Sequence, residues 1–124
     1  MPHTILLVDD EYGSVEMLAV LLGLEGYGIV TASDGEEALS RLREQRVDLV
    51  ITDFWMPKLN GLQLVERMRA EEAWRSTPVL LMTAAYDPDS LRNPTVADVL
   101  TKPLKFEVLL AAIRRVLEPG VSGS

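Results

Sequence analysis

The sequence contains no cysteine, so neither disulfides nor thiolate metal sites are open to it. No apolar run reaches the roughly eighteen residues that a membrane-spanning helix needs, and no membrane segment is expected. The start, MPHTILLVDD, lacks the basic region and cleavage site of a secretory signal. Positive charge is scarce: 12 Lys and Arg against 19 Asp and Glu leave a formal charge of −7. A nucleic-acid binder would carry a basic face, so direct nucleic-acid binding is not expected. The single histidine, His3, lies near the start and is given no ligand role. Internal repeats and low-complexity segments are lacking. These absences leave a cytoplasmic domain as the expectation.

What is present suits one packed domain. Of the 124 residues, 48% are hydrophobic. Short apolar runs at Thr4–Val8, Gly28–Thr31, Asp48–Thr52, Pro78–Met82 and Asp98–Thr101 read as strands. Several are nearly unbroken, as strands buried on both faces should be. Helices are expected near Ser14–Glu25, Gly35–Gln45, Gly61–Ala73 and Lys105–Glu118. Ala38, Leu39 and Leu42 share one stripe of the second; Leu109, Ile113 and Val116, or Leu110 and Leu117, do so on the last. Asp34 reads as an N-cap with Glu37 as its box partner. The stretch Ala84–Ala97 holds Pro88 and Pro94 without an apolar period, so any helix there is short. Residues 1–118 then form the domain and 119–124 a flexible tail. Alternating strands and helices imply an α/β fold: a doubly wound three-layer sandwich around a parallel sheet. Five strands favour the flavodoxin-like order 2-1-3-4-5, with the functional crevice at the strands' carboxyl ends.

Chemistry-bearing residues gather at that end. LVDDE at 7–11 sets three acids directly after the first strand, Asp53 follows the third, Thr83 ends the fourth and Lys102 follows the fifth. Carboxylates at Asp9, Asp10 and Asp53 would repel one another at short range, and a divalent cation removes the conflict. Mg2+ (or Mn2+) takes oxygen ligands and keeps several waters, so two carboxylates and a carbonyl suffice. Lys102 supplies a compact positive charge for a phosphoryl oxygen, and the Thr83 hydroxyl can donate to another. Such a set can hold phosphate on a carboxylate.

Four stretches, LLVDDE, VDLVITDFWMPKLNG, PVLLMTAA and LTKPL, stand in register on the expected strands. With them, the chain from about Thr4 to Leu117 resembles the CheY-like receiver domain of two-component response regulators. The resemblance implies that Asp53 is the phosphoacceptor and that Asp10 and Asp53 ligate Mg2+ directly. Asp9 would act through water and the Trp55 carbonyl as a further ligand. It also implies that Thr83 is the switch hydroxyl, that Lys102 pairs with the phosphoryl group and that Lys102–Pro103 is cis. A histidine kinase or histidine phosphotransfer protein would be the donor. Output would run through protein contacts to an unnamed target, and a homodimer stays open. The protein would be no enzyme beyond catalysing its own phosphorylation and slow dephosphorylation.

Some positions depart from the family pattern. Trp55 and Ala85 stand at two positions that tune the phosphorylated lifetime, and Val99 replaces a common aromatic three residues before the lysine. The bulk of Trp55 leads to the expectation of a shielded, long-lived phosphorylated form, unless its ring points away into an interface. Val20 and Leu24 are expected outside the core, as a patch that docks the donor's helical bundle. Glu11 reads as solvated, Met56 and Pro57 as shaping the loop, Gly61 as serving a turn and Trp74 as the outer end of a helix. Three other functions compete with this reading. A pseudo-receiver scaffold would never take phosphate. A haloacid-dehalogenase-type phosphatase needs a general acid where Trp55 stands. A flavin binder needs a phosphate-cradling loop after the first strand, which is missing here.

Overall fold

The computed structural model describes residues 2–84 and 88–118; Ala85 and the 119–124 tail lie outside the described residues. Strands and helices alternate as β1 (Thr4–Val8), α1 (Tyr12–Leu24), β2 (Gly28–Ala32), α2 (Gly35–Glu44), β3 (Leu49–Asp53), α3 (Gly61–Ala70), β4 (Val79–Thr83), β5 (Asp98–Thr101) and α4 (Phe106–Leu117). The sheet is parallel, in the order β2-β1-β3-β4-β5.

The apolar runs explain the layers. Successive side chains of a strand point to opposite faces. In β1, Leu6 and Val8 join Ala38, Leu39 and Leu42 of α2 and Leu64, Val65 and Met68 of α3. Ile5 and Leu7 face the other way, toward Val15 and Leu22 of α1 and Leu109, Ala112 and Ile113 of α4. Each fully buried Leu or Ile contributes about 1.5–3 kcal/mol. Both stripes of the last helix are used, since Leu110, Val116 and Leu117 pack at the margin of the second core.

Local chemistry sets the element ends. The Asp34 side chain accepts from Glu37 N (2.8 Å), as an N-cap should. The Glu37 carboxylate returns to Ser33 N (2.7 Å), one residue before the cap. Helix α3 ends at Ala70, short of the expected Ala73, and Glu72–Trp74 forms a separate 3-10 turn. Trp74 accordingly ends this short 3-10 turn instead of α3, and it packs against the α2–α3 core. Arg69 holds this corner by donating to the carbonyls of Trp74, Thr77 and Thr95 (2.7–2.9 Å). Strand β3 begins at Leu49; Asp48, just before it, closes the start of β1, its carboxylate accepting from Thr4 N (2.8 Å). At its other end, β3 runs through Asp53, which is its last residue instead of following it. Among its described residues, the fourth connection carries one 3-10 turn, Pro88–Leu91, in keeping with its prolines. Arg92 fastens it to β5 through Asp98 and the Val99 carbonyl.

Candidate functional site

The carboxyl ends of β1, β3, β4 and β5 meet at one place. Backbone bonds fix each approach. Asp9 N donates to Ala32 O (3.1 Å), Phe54 N to Met82 O (2.8 Å) and Lys102 N to Thr83 O (2.7 Å). The Lys102–Pro103 bond is cis. Asp9 and Asp53 are 5% and 8% exposed, Thr83 is fully buried, and Asp10 is exposed. One carboxylate oxygen from each of Asp9, Asp10 and Asp53 lies within 4.8 Å of the others. Lys102 Nζ stands 3.3 Å from Asp9 Oδ2 and 3.3 Å from Asp53 Oδ2. The other Asp9 oxygen accepts from Glu11 N (3.0 Å), which orients it at the mouth of α1. The Glu11 carboxylate accepts from the Ser14 hydroxyl (2.7 Å) and stays outside the cluster.

The electrostatics are unbalanced. Burial pushes the Asp53 carboxyl above its ordinary value; Lys102 pulls it down and Asp9 pushes it up again. Burial alone would lower the Lys102 ammonium, but the Asp9 and Asp53 carboxylates outweigh it and hold lysine above its ordinary value. Three carboxylates against one ammonium leave two negative charges over, which a divalent ion would cancel. All-oxygen donors, with one acid open to water, suit a hard cation that retains waters. The residues fit Mg2+ on those grounds.

The loop after Asp53 is held at both ends. Gly61 N donates to Phe54 O (2.8 Å). A β-carbon on Gly61 would meet Leu81 Cδ2 at 2.7 Å and Asp53 O at 2.9 Å. Gly61 thus permits a close approach of α3 to the site strand and does not serve a turn. Asn60 and Gln63 form a reciprocal capping box there, a spacing readable in the sequence. Met56 is part-buried and receives the Thr52 hydroxyl at 3.6 Å, which fits its expected role in shaping the loop. Trp55 is 66% exposed and meets Phe54 edge-on, centroids 4.8 Å apart. Of the two expectations for Trp55, this exposure favours a ring available to an interface over a seal on the pocket.

Beside the acids runs a groove of about 960 Å3 between α1 and the β2–α2 turn. Its outer wall carries Tyr12, Met17 and Val20, all more than 60% exposed, and Leu24 continues the stripe at 78%. Val15 and Leu22 face the core, so Val20 and Leu24 lie outside it, as their spacing predicted. No helix among the described residues is long and apolar enough to cross a membrane.

Comparison with known proteins agrees with this geometry. The response regulator receiver domain family matches residues 5–114. GlrR, a transcriptional regulatory protein of Escherichia coli, is 38% identical over 94% of this chain and 27% of its own length. The alkaline phosphatase synthesis transcriptional regulatory protein PhoP of Bacillus subtilis is 33% identical over 94% of this chain and 49% of its own. The chain thus spans about half or less of the length of the curated relatives it matches. Among solved structures, the chemotaxis response regulator CheY4 of Vibrio cholerae superposes with a TM-score of 0.87 at 32% identity, covering 94% of this chain and 100% of that one. The response regulator TrrA of Thermotoga maritima, in complex with Mg(2+)-BeF, gives 0.83 at 34% identity, covering 93% and 99%. On the matched span, the fold and the constellation at the strand ends, the chain belongs to the response regulator receiver domain family.

Proposed function

We propose that the protein is a phosphoacceptor of a two-component pathway and that Asp53 is the residue modified. The observation that carries this reading is the buried Asp53 carboxylate, 3.3 Å from the Lys102 ammonium and clustered with Asp9 and Asp10. An Asp53 oxygen forms the new bond to phosphorus as the phosphorus–nitrogen bond of a phosphohistidine donor breaks, and the departing imidazole nitrogen keeps the electron pair. Lys102 balances the negative charge on the phosphoryl oxygens. The Thr83 hydroxyl, buried at the end of β4, donates to one of them. Asp10 and Asp53, with the Trp55 carbonyl and with Asp9 through water, would hold Mg2+. That ion supplies charge neutralisation between the acids and the phosphoryl group. Asp53 is nearly enclosed, which limits water's access to the bond once it is formed. Slow self-hydrolysis follows.

The donor is a histidine kinase or a histidine phosphotransfer protein. The apolar stripe of α1, beside the acids, supports docking of a helical partner there. Output passes through protein contacts, on a surface that includes the exposed Trp55. The setting is the cytoplasm. Incubation with acetyl phosphate and Mg2+, followed by intact mass, tests the reading. One added phosphoryl group, dependent on the metal, is expected. An unmodified mass under saturating donor would favour a scaffold that never takes phosphate.

A further inference from the structure

The loop at 54–60 leaves β3 directly after Asp53, yet it is tied to another element, the start of α2. Two contacts make the tie. Lys58 Nζ lies 3.4 Å from Asp34 Oδ2, while Asp34 Oδ1 accepts the Glu37 N–H that caps α2 (2.8 Å). Leu59 is buried against Gly35 so closely that a β-carbon there would fall 2.7 Å from Leu59 Cβ. Between these anchors Lys58 has a φ of 71°, alone among the described non-glycine residues in being positive. Leu59 N donates to Pro57 O (2.9 Å), closing a γ-turn around it. A residue with a β-carbon keeps such a conformation only where its surroundings impose it.

We propose that the Lys58–Asp34 pair is a positioning device for the cation site. It holds the strained turn, and with it the loop that carries the Trp55 carbonyl, where that loop completes the acid cluster. The proposal rests on the reading of Asp9, Asp10 and Asp53 as a divalent-cation site. Lys58 touches neither the cation nor the phosphoryl group. Its ammonium engages Asp34, and Asp34 serves two elements at once, one oxygen for α2 and one for the loop. Without the ion pair a lysine at this φ relaxes, and the loop moves away from the place fixed by Gly61 at its other end.

Mg2+ titration, followed by tryptophan fluorescence and by thermal shift, tests the idea. Asp34→Asn retains the oxygen that caps α2, and Lys58→Met retains the stem. Each is expected to weaken Mg2+ affinity by about two- to five-fold, the range an exposed ion pair can contribute. The double variant should be no weaker than either single one, because both break one interaction, and Lys58→Arg should stay near wild type. Charge acting through space makes a different prediction. Removing the Lys58 cation would then strengthen Mg2+ binding, while removing the Asp34 anion would weaken it. Opposite shifts, additive shifts or unchanged affinity overturn the proposal. Absence of Mg2+ binding in the wild type overturns the cation-site reading itself, and the proposal with it.

Discussion

Replacing Lys102 by methionine removes one positive charge from between two carboxylates and keeps most of the stem. The ammonium lies 3.3 Å from each of Asp9 and Asp53, and both acids are less than a tenth exposed. At an effective dielectric of about 20, each contact corresponds to about 5 kcal/mol of gross attraction, much of it offset by desolvation. Removing one partner of a buried pair costs about 3–5 kcal/mol. The Lys102 side chain is 27% exposed, which lowers the expected loss to about 2–3 kcal/mol at neutral pH. With an unfolding entropy of about 2.1 cal/mol/K per residue, the midpoint should fall by about 8–12 °C. The pH dependence has a definite sign. Although burial lowers it, Lys102 is held above 10.5 by Asp9 and Asp53. Its contribution is therefore complete below 10.5 and is lost as pH rises through the higher folded value. Wild type should show that alkaline loss and the variant should not. In acid, once Asp53, which burial holds above its ordinary value, is protonated, the difference between the two proteins should shrink. Thermal unfolding without divalent ions, from acid to alkaline pH, measures all of this. A midpoint equal to wild type at neutral pH, or a deficit undiminished in acid, would show that Lys102 does not stabilise the two carboxylates.

Three further outcomes are expected. Val20→Glu should slow phosphoryl uptake from a protein donor while sparing labelling by acetyl phosphate; equal loss in both assays would point to misfolding. Trp55→Asn should leave the loss of phosphate after donor removal within about twofold of wild type, the span a modest surface contact commands, because the ring is exposed; marked acceleration would restore the shielding role. Gly61→Ala should cost about 1–3 kcal/mol in urea unfolding, since the added carbon meets the Asp53 carbonyl and the Phe54 backbone, which cannot yield as a side chain can. A neutral Gly61→Ala would show that α3 moves back freely.

Much of the fold is legible in the residues. The near-continuous apolar runs, ILLV of β1 and VLLM of β4 among them, require cover on both faces, and the order of the sheet follows from that requirement and from chain length. The acids, Thr83 and Lys102 are visible because each lies at the end of a strand whose direction the pattern sets. What depends on contacts between distant segments is not legible. Gly61 looks like any turn glycine until Asp53 O is found 2.9 Å from its missing β-carbon. Trp74 sits among charges in sequence, yet the 3-10 turn folds it onto the core. Lys58 and Asp34 are 24 positions apart and oppositely charged, like many pairs in this chain, and only the positive φ singles them out. Helix α1 is apolar on nearly every side, so periodicity identifies its inner face, Val15 and Leu22, only partially.

Asp53, and no neighbouring acid, is the residue proposed to take the phosphoryl group. Wild type and Asp53→Asn, labelled side by side with acetyl phosphate and Mg2+ and then digested for peptide mass, test it most directly. One modified peptide is expected in the wild type, with the phosphoryl group on Asp53, and none in the variant. Equal labelling of the variant, or modification at Asp9 or Asp10 in the wild type, would contradict it.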